Sequence, residues 1–361
     1  MTRLIVVDAT PYGPEPSGTK RRCVELLRRL PALLPDDVFE VHWAKDGGGP
    51  AEGLVADAFV KPDNVVHATV DVSCRGGAMR WAARRRDLLR RHREAPFTHL
   101  LVDHGPVVAP GRVRTIVTLH DLRFLHGYGG ILRRLYGRFR YGASLRRAAV
   151  TVAVSAVVRE EAMRALHLAP GPMLAVDAPG EPFHGIPAAR VEDMRARLSV
   201  AGEYLLVVGR DEPRKALGAA VAAWKDGPAA RGVSLVVAGA RGFAAQGVRS
   251  LGDVADADLA ALYAGATATF CPSLHEGYGM TVVESLACGT PVVASDIPAH
   301  RELYTDGARG LFLVPPPTKT AGRWSWPGAA DAIPAGRPRE VAPPPHSWDV
   351  TAAIVAGAIR G

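Results

Sequence analysis

Two glutamates flank a glycine-rich turn in the stretch from Pro272 to Ser295, PSLHEGYGMTVVESLACGTPVVAS. Glu276 stands between a short apolar run and the turn Gly277–Gly279, a position typical of neither a core nor an open surface, which indicates a polar partner for its carboxylate. Glu284 follows eight residues later. Free backbone amides and the positive end of a helix dipole favour an anion where a helix follows such a turn. The stretch therefore predicts a phosphate site.

A second interpretation of the same helix needs no ligand. Thr281 and Glu284 have the spacing of a capping box, in which the hydroxyl and the carboxylate satisfy the first amides of the helix. From the helix alone, both interpretations stay open.

Cations and a histidine follow two other apolar runs. Arg210 and Lys215 come after YLLVVG, where they are placed to hold a diphosphate or are simply solvated loop charges. His120 follows RTIVTL. Taken alone, a histidine in that position is more often a hydrogen-bonded structural residue than a catalytic one.

The elements that must position these side chains are strands and helices in alternation. Ala266 to Cys271 predicts a buried strand, Thr281 to Cys288 a helix, and Pro291 to Ser295 the next strand. Strand–loop–helix–strand units form parallel sheets, and ligands of such sheets lie at the carboxyl ends of the strands. The candidate residues all follow predicted strands, so we expect them at such an edge.

The run HEGYGMTVVESLACGTPVVAS resembles the signature of the retaining nucleotide-sugar glycosyltransferases of family 4, also called group 1. The family usually has proline at the position of Thr281, and both residues suit a first helical turn. The resemblance implies an α/β protein with the GT-B fold, in which two Rossmann-like domains with parallel sheets face each other across a cleft. It is strongest over residues 204–303.

The resemblance also implies three domain assignments. Residues 1–180 are expected to form an N-terminal acceptor-binding domain, and residues 188–345 a C-terminal nucleotide-sugar-binding domain. The proline- and glycine-rich run at 178–183 predicts the linker between them. Residues 346–361 are expected to form a helix that crosses back to the N-terminal domain. The segment 315–346 is richer in proline than relatives are here, which predicts an extended or partly mobile run.

Site roles carry over from the family position by position. Glu276 is implied to hold sugar hydroxyls, Glu284 the ribose, and His120 the donor sugar from the other domain. Gly18 is the one candidate in the first glycine loop, where relatives carry two or more closely spaced glycines. The implied catalytic residues are His120 and Glu276, and the implied donor-binding residues are Gly18, Arg210, Lys215, Gly277, Tyr278, Gly279, Met280, Thr281 and Glu284.

The implied reaction moves a sugar, with retention, from a nucleoside-diphosphate sugar to a hydroxyl acceptor such as an envelope glycan, a glycolipid or a natural product. Neither a cofactor nor a metal is expected, since the cations neutralise the diphosphate and no metal-binding cluster is evident. Three alternatives are weighed. A sugar-nucleotide epimerase of the same fold would need a dedicated acid and a dedicated base. A non-catalytic scaffold subunit would keep the fold but lack the catalytic activity. Glycoside hydrolysis needs a second free acid.

The net charge of +8 lies in the first half, where residues 1–185 hold 27 Lys and Arg against 19 Asp and Glu. Much of it falls in two predicted helices, Arg80–Arg93 and Arg133–Arg147. The basic faces of these helices are either solvated or in contact with an anionic partner. That partner would be a membrane surface or a phosphorylated acceptor. Nucleic acid is disfavoured, because no binding module and few aromatics are present.

The setting predicted is a reducing cytoplasm, with the protein either free or at the inner face of the membrane. Four scattered cysteines show no zinc or disulfide spacing, and neither a signal peptide nor an apolar stretch of ~18 residues is found. Only six of the 44 cations are lysine, which is typical of a bacterium with a GC-rich genome.

Overall fold

The chain divides into two compact units in a computed structural model. Unit 1 comprises Met1–Ala178 and Trp348–Gly361, and unit 2 comprises Pro179–Ser347. The structure describes residues 2–13, 17–47, 49, 63–75, 77–127, 130–168, 173–175, 183–304, 309–334 and 347–361. The predicted linker at 178–183 lies almost wholly outside the described residues.

Unit 1 is built on a parallel sheet of seven strands in the order β3-β2-β1-β4-β5-β6-β7. The strands are β1 (Leu4–Asp8), β2 (Val38–Ala44), β3 (Val65–Val70), β4 (His99–Val102), β5 (Arg114–Leu119), β6 (Val150–Ala153) and β7 (Met173–Ala175). Strands β4 and β6 are buried along their whole length, as continuous apolar runs in a parallel sheet should be.

The helices of unit 1 are α1 (Gly18–Leu33), α2 (Gly77–Glu94), α3 (Gly130–Leu145), α4 (Ala156–Leu166) and α10 (Trp348–Arg360). Helix α10 comes from the far end of the sequence, yet its apolar face, including Val355 and Ile359, belongs to the same core as Leu27 and Leu30 of α1. The Arg114 guanidinium donates to the Ala358 carbonyl near the end of α10, at 3.3 Å. The last helix is therefore an integral part of unit 1.

Unit 2 is built on a parallel sheet of six strands in the order β10-β9-β8-β11-β12-β13. The strands are β8 (Tyr204–Val208), β9 (Ser234–Ala238), β10 (Val248–Gly252), β11 (Ala268–Cys271), β12 (Val292–Ser295) and β13 (Leu311–Val314). The helices are α5 (Ala188–Leu198), α6 (Leu217–Lys225), α7 (Asp256–Gly265), α8 (Met280–Ala287) and α9 (Pro298–Leu303).

Both faces of this sheet are covered. Along β8, Leu205 and Val207 pack into the core that holds Trp224 of α6, whereas Tyr204 and Leu206 pack into the core that holds Leu262 of α7. Alternate residues of a strand point to opposite faces, so the continuous apolar run of β8 fills two cores at once. The prediction of an α/β protein with parallel sheets is confirmed.

Part of the proline-rich segment departs from the extended run that its composition predicts. Residues Thr318–Thr320 (β14) and Arg323–Ser325 (β15) form an antiparallel hairpin. The Trp326 indole donates to the Pro315 carbonyl at 3.1 Å, and its ring meets Phe270 edge-on in the core of unit 2. Burial of this tryptophan folds the segment back on itself, while residues 335–346 lie outside the described residues.

In each unit the chain changes direction at one point in the sheet. The first strand of each unit, β1 or β8, lies between the second strand, β2 or β9, and the fourth strand, β4 or β11. Loops at the carboxyl ends of such a pair diverge and leave a crevice, which is where doubly wound sheets bind ligands. In the described parts of the chain, no helix is long and apolar enough to span a bilayer.

Candidate active site

Glu276 lies at the carboxyl edge of the unit 2 sheet, in the loop after β11, and three side chains converge on its carboxylate. Lys215 Nζ is 2.6 Å from Oε1, Arg214 Nη1 is 3.0 Å from Oε2, and the Ser273 hydroxyl donates to Oε1 at 2.7 Å. Burial alone raises the pKa of Glu276, but the Lys215 and Arg214 charges outweigh it and hold the pKa well below its usual range. The carboxylate is therefore ionised at neutral pH.

The loop after β8 brings these two cations to Glu276. Gly209 ends the strand with φ +150°, and a Cβ there would lie 3.3 Å from Cδ of Lys215, so glycine leaves room for the lysine chain. A short turn, Pro213–Lys215, follows, and the Leu274 amide donates to the Arg214 carbonyl at 2.7 Å. This backbone bond ties the loops after β8 and β11 together, across the crevice predicted by the strand order.

Helix α8 begins directly after the glycine turn, and the capping-box interpretation of Thr281 and Glu284, one of the two left open by the sequence, is wrong. Gly279, with φ +110°, occupies the cap position, and among the described residues no side chain caps the helix. A Cβ on Gly279 would come within 3.0 Å of Leu303 and 3.1 Å of His300. The helix starts two residues too early for Thr281 to cap it, so the first turn at Met280 keeps the electrostatic character that favours an anion.

Glu284 lies one turn further along α8 and is buried. Its Oε2 accepts a hydrogen bond from the Tyr263 hydroxyl of α7 at 3.1 Å. Burial, followed by the Glu284 charge, raises the pKa of Tyr263 well above its usual value. Tyr263 thus stays protonated and serves as a fixed donor to Glu284.

A buried cysteine and histidine stand behind the glycine turn. Cys271 Sγ is 3.8 Å from Nε2 of His300, whose Nδ1 donates to the Ser295 carbonyl at 2.7 Å. Burial raises the pKa of the Cys271 thiol, but the facing His300 outweighs it and lowers the pKa overall; the pKa of His300 is raised, because Cys271 outweighs the opposing effect of burial. The pair fixes the His300 ring against Gly279.

His120 follows β5 at the carboxyl edge of the unit 1 sheet. Its Nε2 lies 2.6 Å from the Asp103 carbonyl oxygen, which can only accept, so Nε2 carries the proton. Burial, the largest effect, lowers the pKa of His120, and the ring is neutral at pH 7. The Asp103 carboxylate accepts hydrogen bonds from Tyr12, at 2.8 Å, and from buried Arg22, at 3.3 Å.

Gly18 opens helix α1 beside this cluster. Ser17 caps the helix, and its hydroxyl accepts a hydrogen bond from the Lys20 amide at 3.2 Å. A second buried ion pair at the same sheet edge joins Asp8, the last residue of β1, to Arg84 of α2, with Nη2 and Oδ2 2.7 Å apart.

The structure thus separates the sequence-predicted residues into groups. Glu276 and Lys215 are in contact beside the turn of Gly277, Tyr278 and Gly279, and Met280 and Thr281 form the first helical turn after it. Arg210 is exposed in the loop that carries Lys215, Glu284 is buried against Tyr263, and His120 and Gly18 belong to unit 1.

Sequence reasoning missed three polar residues of the unit 2 site. Arg214 precedes Lys215 directly in the sequence. A second arginine in the same loop was the signal that could have identified it. Ser273 and Tyr263 carried no signal, because only the folded chain brings their hydroxyls to Glu276 and Glu284.

Two doubly wound parallel sheets, one in each unit, are characteristic of the GT-B fold. The structure aligns with sucrose-phosphate synthase of Thermosynechococcus elongatus at a TM-score of 0.68 and 16% identity, over 99% of this chain and 98% of that one. It also aligns with HepE of Anabaena in complex with UDP and glucose, at a TM-score of 0.61 and 15% identity, over 88% and 86% of the two chains.

Residues 202–322 match the family model of the group 1 glycosyltransferases. Over 127 residues the chain is 33% identical to the O-antigen chain mannosyltransferase B of Escherichia coli, which is 31% of this chain and 33% of that protein. This part of unit 2 is thus similar to the group 1, or family 4, glycosyltransferases, and the likeness to the solved structures shows the GT-B fold. The sequence match spans about a third of the length of this curated relative.

Proposed function

We propose that this protein is a retaining glycosyltransferase that moves a sugar from a nucleoside-diphosphate sugar to a hydroxyl acceptor without a metal ion. The observation that carries the proposal is the convergence of Lys215 and Arg214 on Glu276, next to the uncapped first turn of α8. The match of residues 202–322 to the group 1 glycosyltransferases, and the UDP bound by the structural relative HepE, support a nucleoside diphosphate as the ligand.

Glycosyl transfer requires that charge be stabilised on the departing diphosphate, because its oxygen becomes negative as the bond to the anomeric carbon breaks. Lys215 and Arg214, joined by Arg210 from the same loop, supply positive charge to that oxygen. The first turn of α8 adds backbone amides to the same anion. Three cations and a helix terminus suffice to neutralise a diphosphate.

Glu276 has a double role in this proposal. Before the donor binds, its carboxylate holds the two cations at the edge of the sheet and reduces their mutual repulsion. Once the phosphates engage the cations, the carboxylate, which remains ionised, can accept hydrogen bonds from sugar hydroxyls. Glu284, fixed by Tyr263, is assigned to the ribose.

The acceptor attacks the anomeric carbon on the face from which the diphosphate leaves, which gives retention. The new bond joins the acceptor oxygen to the anomeric carbon, and the departing phosphate takes the acceptor's proton, so no general base is assigned. His120 is assigned to the donor sugar. As a neutral ring with its Nε2 proton committed to Asp103, it acts as a hydrogen-bonding group rather than as a base.

An epimerase and a scaffold subunit are the competing functions, and neither is favoured by a specific observation at this site. An epimerase would change the donor productively with no acceptor present. A scaffold would bind no donor.

The test is a panel of nucleoside diphosphates in a thermal-shift assay, followed by NMR of the matching sugar donor alone. Binding at ~100 times the dissociation constant is expected to add ~2.7 kcal/mol of stability. Slow hydrolysis of the donor to a free sugar with the original anomeric configuration supports a retaining transferase. A donor epimerised in place overturns the proposal, as does the absence of any stabilising nucleotide. Activity that is lost in EDTA contradicts metal independence.

A further inference from the structure

Helix α3 of unit 1 presents a row of large apolar side chains to solvent. Their exposed fractions run from 37% for Tyr136 to 80% for Leu132. The row consists of Ile131, Leu132, Leu135, Tyr136 and Phe139. Scattered apolar residues are common on protein surfaces, but a contiguous group of this size marks a binding surface.

The five side chains share one face of the helix. At about 100° per residue, their spacing confines them to an arc of about 140°. The opposite side of the helix carries Gly137, where a Cβ would lie 2.5 Å from the ring of Phe124. The helix thus rests its glycine side closely on unit 1 and points its apolar side away from it.

All formal charges on α3 are positive. Its sequence, GILRRLYGRFRYGASL, contains four arginines and no acidic residue. On the helix surface, Arg134 and Arg138 border one side of the apolar arc, and Arg133 and Arg140 border the other. An apolar face between two rows of cations is the pattern of a helix that lies in a lipid interface.

The apolar surface extends towards α2. The Arg140 guanidinium lies over the rings of Trp81, at 5.6 Å, and Tyr136, at 5.1 Å, and so connects α3 to the first turns of α2. Two residues before Trp81, Met79 is 84% exposed. Helix α2 is itself rich in arginine, so the positive charge continues beyond α3.

We propose that the exposed face of α3, with Met79 at its margin, docks unit 1 on an anionic phospholipid bilayer. The apolar side chains would enter the boundary between headgroups and acyl chains, while the bordering arginines reach the lipid phosphates. A second copy of the chain fits this face poorly, because a symmetric contact would set arginines against arginines. The positive charge instead matches an anionic surface.

The first experiment measures binding without donor or acceptor, so its outcome is independent of the proposed transferase activity. The full chain is sedimented with vesicles of phosphatidylcholine alone, or of equal parts phosphatidylcholine and phosphatidylglycerol. Partitioning onto the anionic vesicles is expected to be at least about tenfold higher. Absence of sedimentation, or equal partitioning onto both vesicles, overturns the proposal.

A pair of variants then tests the apolar side chains. Leu132→Ser with Phe139→Ser is expected to lower partitioning onto anionic vesicles by at least about tenfold, because the inserted apolar area is lost. Val350→Ser, at an exposed apolar residue of α10, is the matched control and should leave partitioning unchanged. Circular dichroism confirms that both variants are folded.

Charge reversal separates the lipid from other occupants of this face. Arg133→Glu with Arg134→Glu should abolish the preference for anionic vesicles, whereas Arg112→Glu, outside α3, should not. If light scattering instead shows a dimer that the Leu132→Ser, Phe139→Ser variant dissociates, the face is a contact between copies and the membrane proposal fails.

Discussion

The Lys215 ammonium lies 2.6 Å from a carboxylate oxygen of Glu276, so a basic and an acidic group of the candidate donor site neutralise each other before any ligand is present. Both side chains are largely buried but keep some exposed surface, 15% for Lys215 and 11% for Glu276. The ion pair therefore keeps the cation in place without sealing it off, and a diphosphate can take over as its partner.

Replacing the lysine tests this exchange. Lys215→Ala is expected to lower kcat/KM for the nucleotide-sugar donor by about 10- to 100-fold, because a charge-assisted hydrogen bond of about 1.5–3 kcal/mol to the diphosphate is lost. Steady-state kinetics with the donor identified by thermal shift measure the loss. Lys225→Ala, at an exposed lysine of α6, should behave as wild type. Equal kinetics for Lys215→Ala and wild type would remove the lysine from the site.

The glycine before α8 allows a second test, this time of stability. Gly279→Ala is expected to destabilise unit 2 by about 1–3 kcal/mol, because alanine is strained at φ +110° and its Cβ meets Leu303 and His300. Gly289→Ala is the matched control. Gly289 also has positive φ, but its Cβ would meet nothing within 4 Å, so only the backbone strain of about 1 kcal/mol remains. Hydrogen exchange over unit 2 peptides measures both, and equal losses would contradict the crowding at Gly279.

The Tyr263 hydroxyl is expected to position Glu284. Tyr263→Phe should weaken donor binding by about fivefold or more, since Glu284 loses a hydrogen bond of about 1 kcal/mol that fixes its carboxylate. Tyr204→Phe removes an equally buried hydroxyl, which donates to the Leu262 carbonyl at 2.7 Å. It should lower stability by a similar amount and leave donor affinity unchanged. Calorimetric titration with the nucleotide distinguishes the two variants. A similar loss of affinity in both would show that Tyr263 contributes to the stability of unit 2 and does not position Glu284.

His42 of β2 makes the stability of unit 1 dependent on pH. Its Nε2 is 2.7 Å from Glu40 and its Nδ1 is 3.6 Å from Asp87. Burial opposes the charged ring, but the Asp87 and Glu40 carboxylates outweigh it and raise the pKa of His42 to about 9. Because the folded pKa exceeds the unfolded value of about 6.5, the stabilisation is complete below pH 6.5 and disappears as the pH rises through 9.

Wild type and His42→Gln should therefore differ by about 1–3 kcal/mol in the unfolding free energy of unit 1 at pH 6 and converge near pH 10. Hydrogen exchange of unit 1 peptides gives the difference. His99 of β4 is the control with the opposite sign. Burial, followed by the Arg3 and Arg114 charges, lowers its pKa, so its effect favours folding as the pH rises through 6.5. A difference between wild type and His42→Gln that grows with pH would refute the assignment.

The sequence predicted the parallel sheets and the strand–turn–helix unit around Glu276, because apolar runs and glycines act locally. Helix boundaries were less accurate. Thr281 was placed at a helix start that the folded chain gives to Gly279, since tertiary packing against His300 and Leu303 decides where the turn ends.

Contacts between distant loops were beyond the sequence. Arg214, rather than Arg210, reaches Glu276, because the Pro213–Lys215 turn and its backbone bond to Leu274 place Arg214 and Lys215 together beside the loop after β11. The Ser273 and Tyr263 hydroxyls are ordinary residues until the strand order brings them beside the two glutamates. The apolar face of α3 was hidden in a similar way, because the arginine count suggested a basic helix and only the fold shows which side is turned outward.

The place of α10 in unit 1 has a consequence for how the protein is made. Residues 348–360 leave the ribosome after all of unit 2, which can therefore fold while unit 1 still exposes the part of its core that α10 covers. A stop codon just before Trp348 would leave this apolar groove permanently open. Such a shortened chain should be recovered bound to chaperones or in inclusion bodies, even though every strand of both sheets is present.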